Sequence, residues 1–398
     1  MRSTSCKEIA TALLNRCLAG ENPRLLPRVL TEEPCGGALF GILAEGLADR
    51  FEPALCKVYA RLFAQAVAYA HPEMEPGDLV ARYERVRRTR AIQGKPQRFF
   101  VLSRVTLGAD VAVTSVLMAA ARKRFPQAEI CFVGPHKNYE LFAGDKHIHH
   151  IPVDYRRGGL RDRLAVWSAL ESAVRDGDGP VIDPDTRLTQ LGLLPICDED
   201  RHYLFESRAY GSESEGPLPE LAAAWAVETF GGPPARPFVA LPKRPARAPY
   251  IAVSLGVGEN AAKRVADPFE EELLKLLAWT ALPITLDRGA GGEEAERVTG
   301  ALERSGGKAT FWDGSFAGFA QIIAGSRLYV GYDSAGQHVA AACGVPLISI
   351  FAGFPSERML ARWRPVGAHS AVIRADSNDP AECLARVKEA LSGMLEGK

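Results

Sequence analysis

Asp110, Lys263 and the turn residues Asp333, Ser334, Ala335, Gly336 and His338 are the residues whose types and spacing could do chemistry. The turn lies in LYVGYDSAGQHVAAACGVPLISIF (Leu328–Phe351), where an apolar stretch gives way to small residues and then to an Ala-rich stretch. A strand, a tight turn and a short helix are the expected elements. In a parallel α/β sheet such a turn lies at the carboxyl end of the strands, where ligands bind. Free N–H groups at the helix start suit a phosphate, and the Ser334 hydroxyl adds a donor. An ordinary turn capped by Ser or Asp is the competing explanation.

Asp110 stands in TLGAD, after the apolar RFFVLSRV and before the helical VAVTSVLMAAARKRF. One carboxylate in that position suffices to take a proton from an acceptor hydroxyl. It also suits a helix N-cap, worth about 1 kcal/mol. In SLGVGENAAKR, Ser254 and two glycines make a loop that carries Lys263 and Arg264, a cation pair able to meet a diphosphate or simply to face solvent. The loop matches neither GxxxxGK[ST] nor GxGxxG. In DRGAGGEEAE, Glu293 or Glu294 could accept from ribose hydroxyls, although acids in a first helical turn also suit the helix dipole without any ligand. Asp183-Pro184-Asp185 is a weaker candidate for a metal, and His147, His149 and His150 read as a polar strand edge.

The elements that must position these residues change character along the chain. Residues 1–95 read as helices only, with apolar positions three to four apart. Within them DLVARYERVRRTR places Arg82, Arg85, Arg87, Arg88 and Arg90 on what reads as a solvated face. From residue 96, strands and helices alternate, the pattern of a doubly wound parallel sheet. GGPPARPFVALPKRPARAP (Gly231–Pro249) is too rich in Pro for a helix and reads as a linker, and a second alternating unit follows. The expected domains are therefore 1–95, 96–240 and 241–398, the last two being Rossmann-like and facing a cleft.

Composition narrows the function classes. Over 398 residues, Lys+Arg and Asp+Glu each number 48, so no global field advertises nucleic acid. The eight cysteines are scattered without CxxC or zinc spacing, which fits a reducing, cytoplasmic setting. No apolar run reaches the roughly 18 residues of a spanning helix.

Taken together, LGADVAVTSVLMAAARKRFPQAEICFVG, SLGVGENAAKR and GYDSAGQHVAAACGVPLISIF resemble the blocks of glycosyltransferase family 9, the ADP-heptose:lipopolysaccharide heptosyltransferase family. The resemblance runs from about residue 98 to the end and does not cover residues 1–95. It implies a GT-B fold and an inverting, metal-independent transfer of heptose or a related sugar. The donor would be a nucleoside-diphosphate sugar, ADP-sugar favoured, with no other cofactor. The acceptor would be a glycan or glycolipid of the lipopolysaccharide kind, in a bacterial cytoplasm or at the cytoplasmic face of the inner membrane, with peripheral contact to it. Position by position, Asp110 falls on the catalytic base, Lys263 on the lysine that holds the diphosphate, and Glu293 on the ribose-binding acid. Asp333, Ser334, Ala335, Gly336 and His338 fall on the donor turn, with Ser254 and Arg264 beside it. A non-catalytic nucleotide-sugar-binding or assembly protein, or a GT-B-like sugar-nucleotide epimerase, is the alternative.

Overall fold

The computed structural model describes residues 5–175, 177–212, 214–243, 245–258, 260–289, 291–376 and 379–396. The chain divides into two compact units. The first comprises 1–106, 116–139 and 147–235, and the second comprises 107–115, 140–146 and 236–398. Among the described residues, no helix is long and apolar enough to cross a membrane.

The first unit holds a parallel sheet of β1 (Arg98–Leu102), β2 (Glu129–Gly134), β3 (Ile148–Pro152), β4 (Val181–Asp183) and β5 (His202–Leu204), ordered β3-β2-β1-β4-β5. Buried runs such as FFVL in β1 are what a sheet covered on both faces requires. Chain order reverses between β1 and β4, so the carboxyl ends of those two strands form a topological switch point. The second unit holds β6 (Ile251–Ser254), β7 (Ile284–Asp287), β8 (Thr310–Trp312), β9 (Leu328–Tyr332), β10 (Leu347–Ala352) and β11 (Ser370–Ala375). Their order, β11-β10-β9-β6-β7-β8, is again doubly wound and parallel, with its switch point between β6 and β9.

Three expectations are corrected here. The boundary near residue 95 separates no cores: Leu13, Phe40, Tyr59, Phe63 and Tyr83 share one apolar cluster with Leu102, Val133, Val181 and Leu204. Helical periodicity shows that a face is apolar but not what it packs against, and here the face packs on the first sheet. The basic stretch from Asp78 is solvated only in part: Arg85 and Arg88 are exposed, but Arg82 of the helix Pro76–Val86 is buried, with Nη2 2.7 Å from His202 Nδ1. Finally, Cys6 and Cys35 are joined as a disulfide, a pairing that their separation of 29 residues did not signal.

Among the described residues of 231–249 there is no helix or strand, and the unit boundary falls between Ala235 and Arg236.

Candidate functional site

Ser254 ends β6 and Asp333 follows β9, so the two residues flank the switch point of the second sheet. Lys263 reaches the same place from a short 3-10 turn (Ala261–Lys263) that Asn260 caps through Ala262 N. The ammonium of Lys263 lies 2.8 Å from Asp333 Oδ2 and 3.4 Å from the Asp333 carbonyl oxygen. Lys263 is half-buried and Asp333 is buried, so the pair sits partly out of water and is less screened than a surface bridge.

Ser334 is the N-cap of the helix Ala335–Ala342, in extended backbone, and its side chain makes no capping bond. The amides of that helix start are thus not covered by the Ser334 hydroxyl. Gly336 is needed for packing: a Cβ there would overlap the hydroxyl and ring of Tyr329 in β9. His338 is buried with its ring edge-on to Trp363, and burial pushes its imidazole down to about 4, so it is neutral at pH 7.

The other expected donor residues divide. Ser254 donates to Asp287 Oδ2 at the end of β7, 3.2 Å away, and burial raises the Asp287 carboxyl. Arg264 is engaged away from the turn, with Nε 2.9 Å from buried Glu270 and Nη2 3.0 Å from Asp267. Glu293 is exposed in the first turn of the helix Gly292–Ser305. Its neighbour Glu294 instead accepts from Val257 N (3.0 Å) and Gly258 N (3.2 Å), which folds the loop after β6 onto that helix.

Asp110 belongs to the second unit, not to the first sheet's unit as the expected boundaries had it. The reason is close packing. A Cβ on Gly108 would lie 3.1 Å from Ala335 Cα and 3.2 Å from His338 Cδ2, so a larger residue there would have to push the Ala335 turn back by a few tenths of an ångström. Asp110 opens a π-helical turn (Asp110–Thr114) that follows one short helical turn (Leu107–Ala109), so it is not an N-cap. Such turns recur at functional sites. Its side chain has no solvent exposure and accepts from Thr114 Oγ1 at 2.6 Å. In this conformation the carboxylate is closed off from solvent.

Sequence reasoning missed Gln337 and Glu270. Gln337 is buried and joins Asp333 to Ser349, and its spacing of four residues from Asp333 across a helix start was the available signal. Glu270 collects Arg264, Arg297 and Tyr332 beneath the Lys263 turn. Nothing in the EEE run of its helix marked it out.

Asp183 and Asp185 prove to be structural acceptors. Asp183 accepts from Asp185 N, Thr186 N and Thr189 Oγ1, and Asp185 accepts from Ser207 Oγ and Arg208 Nε. Among the described residues, no group of three or more His, Cys, Asp or Glu is arranged to hold a metal. His150 bonds the Gly134 carbonyl oxygen and stacks on Tyr139, a place in the edge strand β3.

The family model described as glycosyltransferase family 9 (heptosyltransferase) matches residues 249–392. Among solved structures, the chain is similar to the E. coli heptosyltransferase WaaC with ADP, at 19% identity and TM-score 0.54, over 75% of this chain and 99% of that one. A glycosyl transferase family 9 structure from Veillonella parvula aligns at 14% identity and TM-score 0.57, over 77% and 99%. The E. coli ADP-heptose lps heptosyltransferase II aligns at 19% and 0.54, over 75% and 98%. No curated protein matches the chain.

Proposed function

We propose that this chain, a glycosyltransferase of family 9 through residues 249–392, moves a sugar from a nucleoside-diphosphate donor to a hydroxyl of a glycan or glycolipid acceptor. The observation that carries the reading is the Lys263–Asp333 pair set beside the helix start at Ser334, at the switch point of a doubly wound sheet. A diphosphate placed there meets an ammonium and helix-start amides. In a single displacement, the acceptor oxygen attacks the anomeric carbon and gives its proton to Asp110. The bond from that carbon to the diphosphate oxygen breaks on the opposite face, and the sugar is inverted. Lys263 takes up the charge left on the diphosphate, so the step needs no metal, and EDTA is expected to leave transfer unchanged.

The E. coli heptosyltransferase of like fold is bound to ADP, so an ADP-sugar heads the donor panel. Thermal shift with ADP, GDP, UDP and CMP, each with its sugar, tests the reading. Stabilisation by one nucleotide class supports it, and no shift with any of them removes it. A second reading, a nucleotide-sugar-binding protein without turnover, draws on the complete burial of Asp110. Donor binding with no transfer to any acceptor, in wild type and Asp110→Asn alike, would favour that one.

A further inference from the structure

We propose that Gln337 is a positioning residue that sets Lys263 for the diphosphate, acting through Asp333; this rests on the donor-site reading above. The chemistry of the partners fixes the orientation of the amide. A carboxylate can only accept, so the end of Gln337 that lies 2.5 Å from Asp333 Oδ1 is Nε2. The carbonyl end, Oε1, then accepts from Ser349 Oγ of β10, also at 2.5 Å. Hydrogen bonds therefore run from Ser349 to Gln337 to Asp333, and Lys263 donates to the same carboxylate from the other side.

Gln337 and Ser349 have no solvent exposure, so water cannot replace either partner, and an unpaired group there costs its full desolvation. With Oδ1 held by the amide, Oδ2 alone is presented to the Lys263 ammonium. Without the amide, the carboxylate turns and both oxygens compete for Lys263, drawing the ammonium away from an incoming phosphate. The remaining groups near the amide are His338 Nε2 at 3.3 Å and the Trp363 carbonyl oxygen at 3.4 Å. Burial keeps His338 neutral at pH 7, so Lys263 and Asp333 are the charges that matter in this network.

The test is calorimetric titration of ADP into the full chain. Gln337→Leu should weaken binding about tenfold, equivalent to about 1.4 kcal/mol. In a Lys263→Ala background the same change should cost little, because its route to the ligand is gone. Gln337→Glu sets a second carboxyl against Asp333. Relative to wild type, its affinity should be poor at pH 8 and recover toward pH 5.5, where the introduced carboxyl regains a proton to donate. Ser349→Ala should show a weaker version of the Gln337→Leu effect and serves if that variant does not fold. Additive costs in the double variant, or a pH-independent deficit in Gln337→Glu, would overturn the proposal. If wild type binds no nucleotide, the donor-site reading falls first; if Lys263→Ala weakens binding and the Gln337 and Ser349 changes do not, only this inference falls.

Discussion

At the switch point of the first sheet, carboxylates and cations are closed in on one another; at that of the second, they stand half open. Asp183 at the end of β4, His202 at the start of β5, and Asp185 and Arg208 beyond those strands are all buried, and Thr186 Oγ1 ties the β4 end to the Ser103 carbonyl beyond β1. Helices from residues 53–86 bring Tyr59 over Arg208, and Tyr83 donates to Glu206. Val105 and Asp185 hold positive φ angles of 58° and 68° there, backbone that L residues keep only when surroundings over-determine it. In the second unit, Lys263 and Ser334 remain half-buried beside a helix start that the Ser334 side chain does not cap. The same topology thus yields a sealed polar core in one unit and, in the other, a half-buried ion pair beside a helix start that its N-cap side chain leaves open. A switch point is a place for a ligand only where the chain has not filled it with its own side chains.

The largest effect that would break this comparison is in the chemistry. Asp110→Asn keeps the acceptor for Thr114 but cannot take the proton, so transfer should drop about 10²–10⁴-fold with donor binding retained. Steady-state turnover against nucleotide affinity checks it, and full activity in the folded variant would leave the chain without its base.

Next comes the sealed switch point. Arg208→Met leaves Asp185 buried without its guanidinium and should cost about 3–5 kcal/mol of stability in a denaturant melt. Adding Asp185→Asn should restore part of that loss. A near-neutral Arg208→Met would show that the first switch point is looser than its geometry implies.

The smallest effect is in the pH dependence. Burial lowers the His338 imidazole from about 6.5 when unfolded to about 4 when folded. Between those values the unfolded chain binds the proton and the folded chain does not, so stability should fall as pH drops from about 6.5 to about 4. His202, also lowered by burial, acts in the same direction. His338→Gln should flatten part of that slope, and an unchanged slope would place the titration elsewhere.

Much of this was legible in the sequence. Apolar runs and small-residue turns marked β1, β2, β6, β9 and β10, and the Asp333–His338 turn stands where such a turn must. What periodicity cannot give is the partner of a face. Arg82 and Arg87 read as solvated because arginines usually are, and only the buried acceptors on β5 and beyond draw them inward. The choice between Glu293 and Glu294 hangs on one residue of helical phase, and Glu294 takes the amides of the β6 loop. The packing of the Gly108 segment, which carries Asp110, against Ala335 depends on contact across more than two hundred residues, with Gly108 as its one local trace.

The central claim is that nucleotide binds at the second switch point and not at the first. Titrating ADP into wild type, Lys263→Ala and Arg208→Met, with melting followed in parallel, tests it most directly. Lys263→Ala should weaken ADP binding and keep its melting temperature. Arg208→Met should lose stability and, while folded, keep its affinity. Unchanged affinity in Lys263→Ala, or affinity that vanishes in folded Arg208→Met, would contradict it.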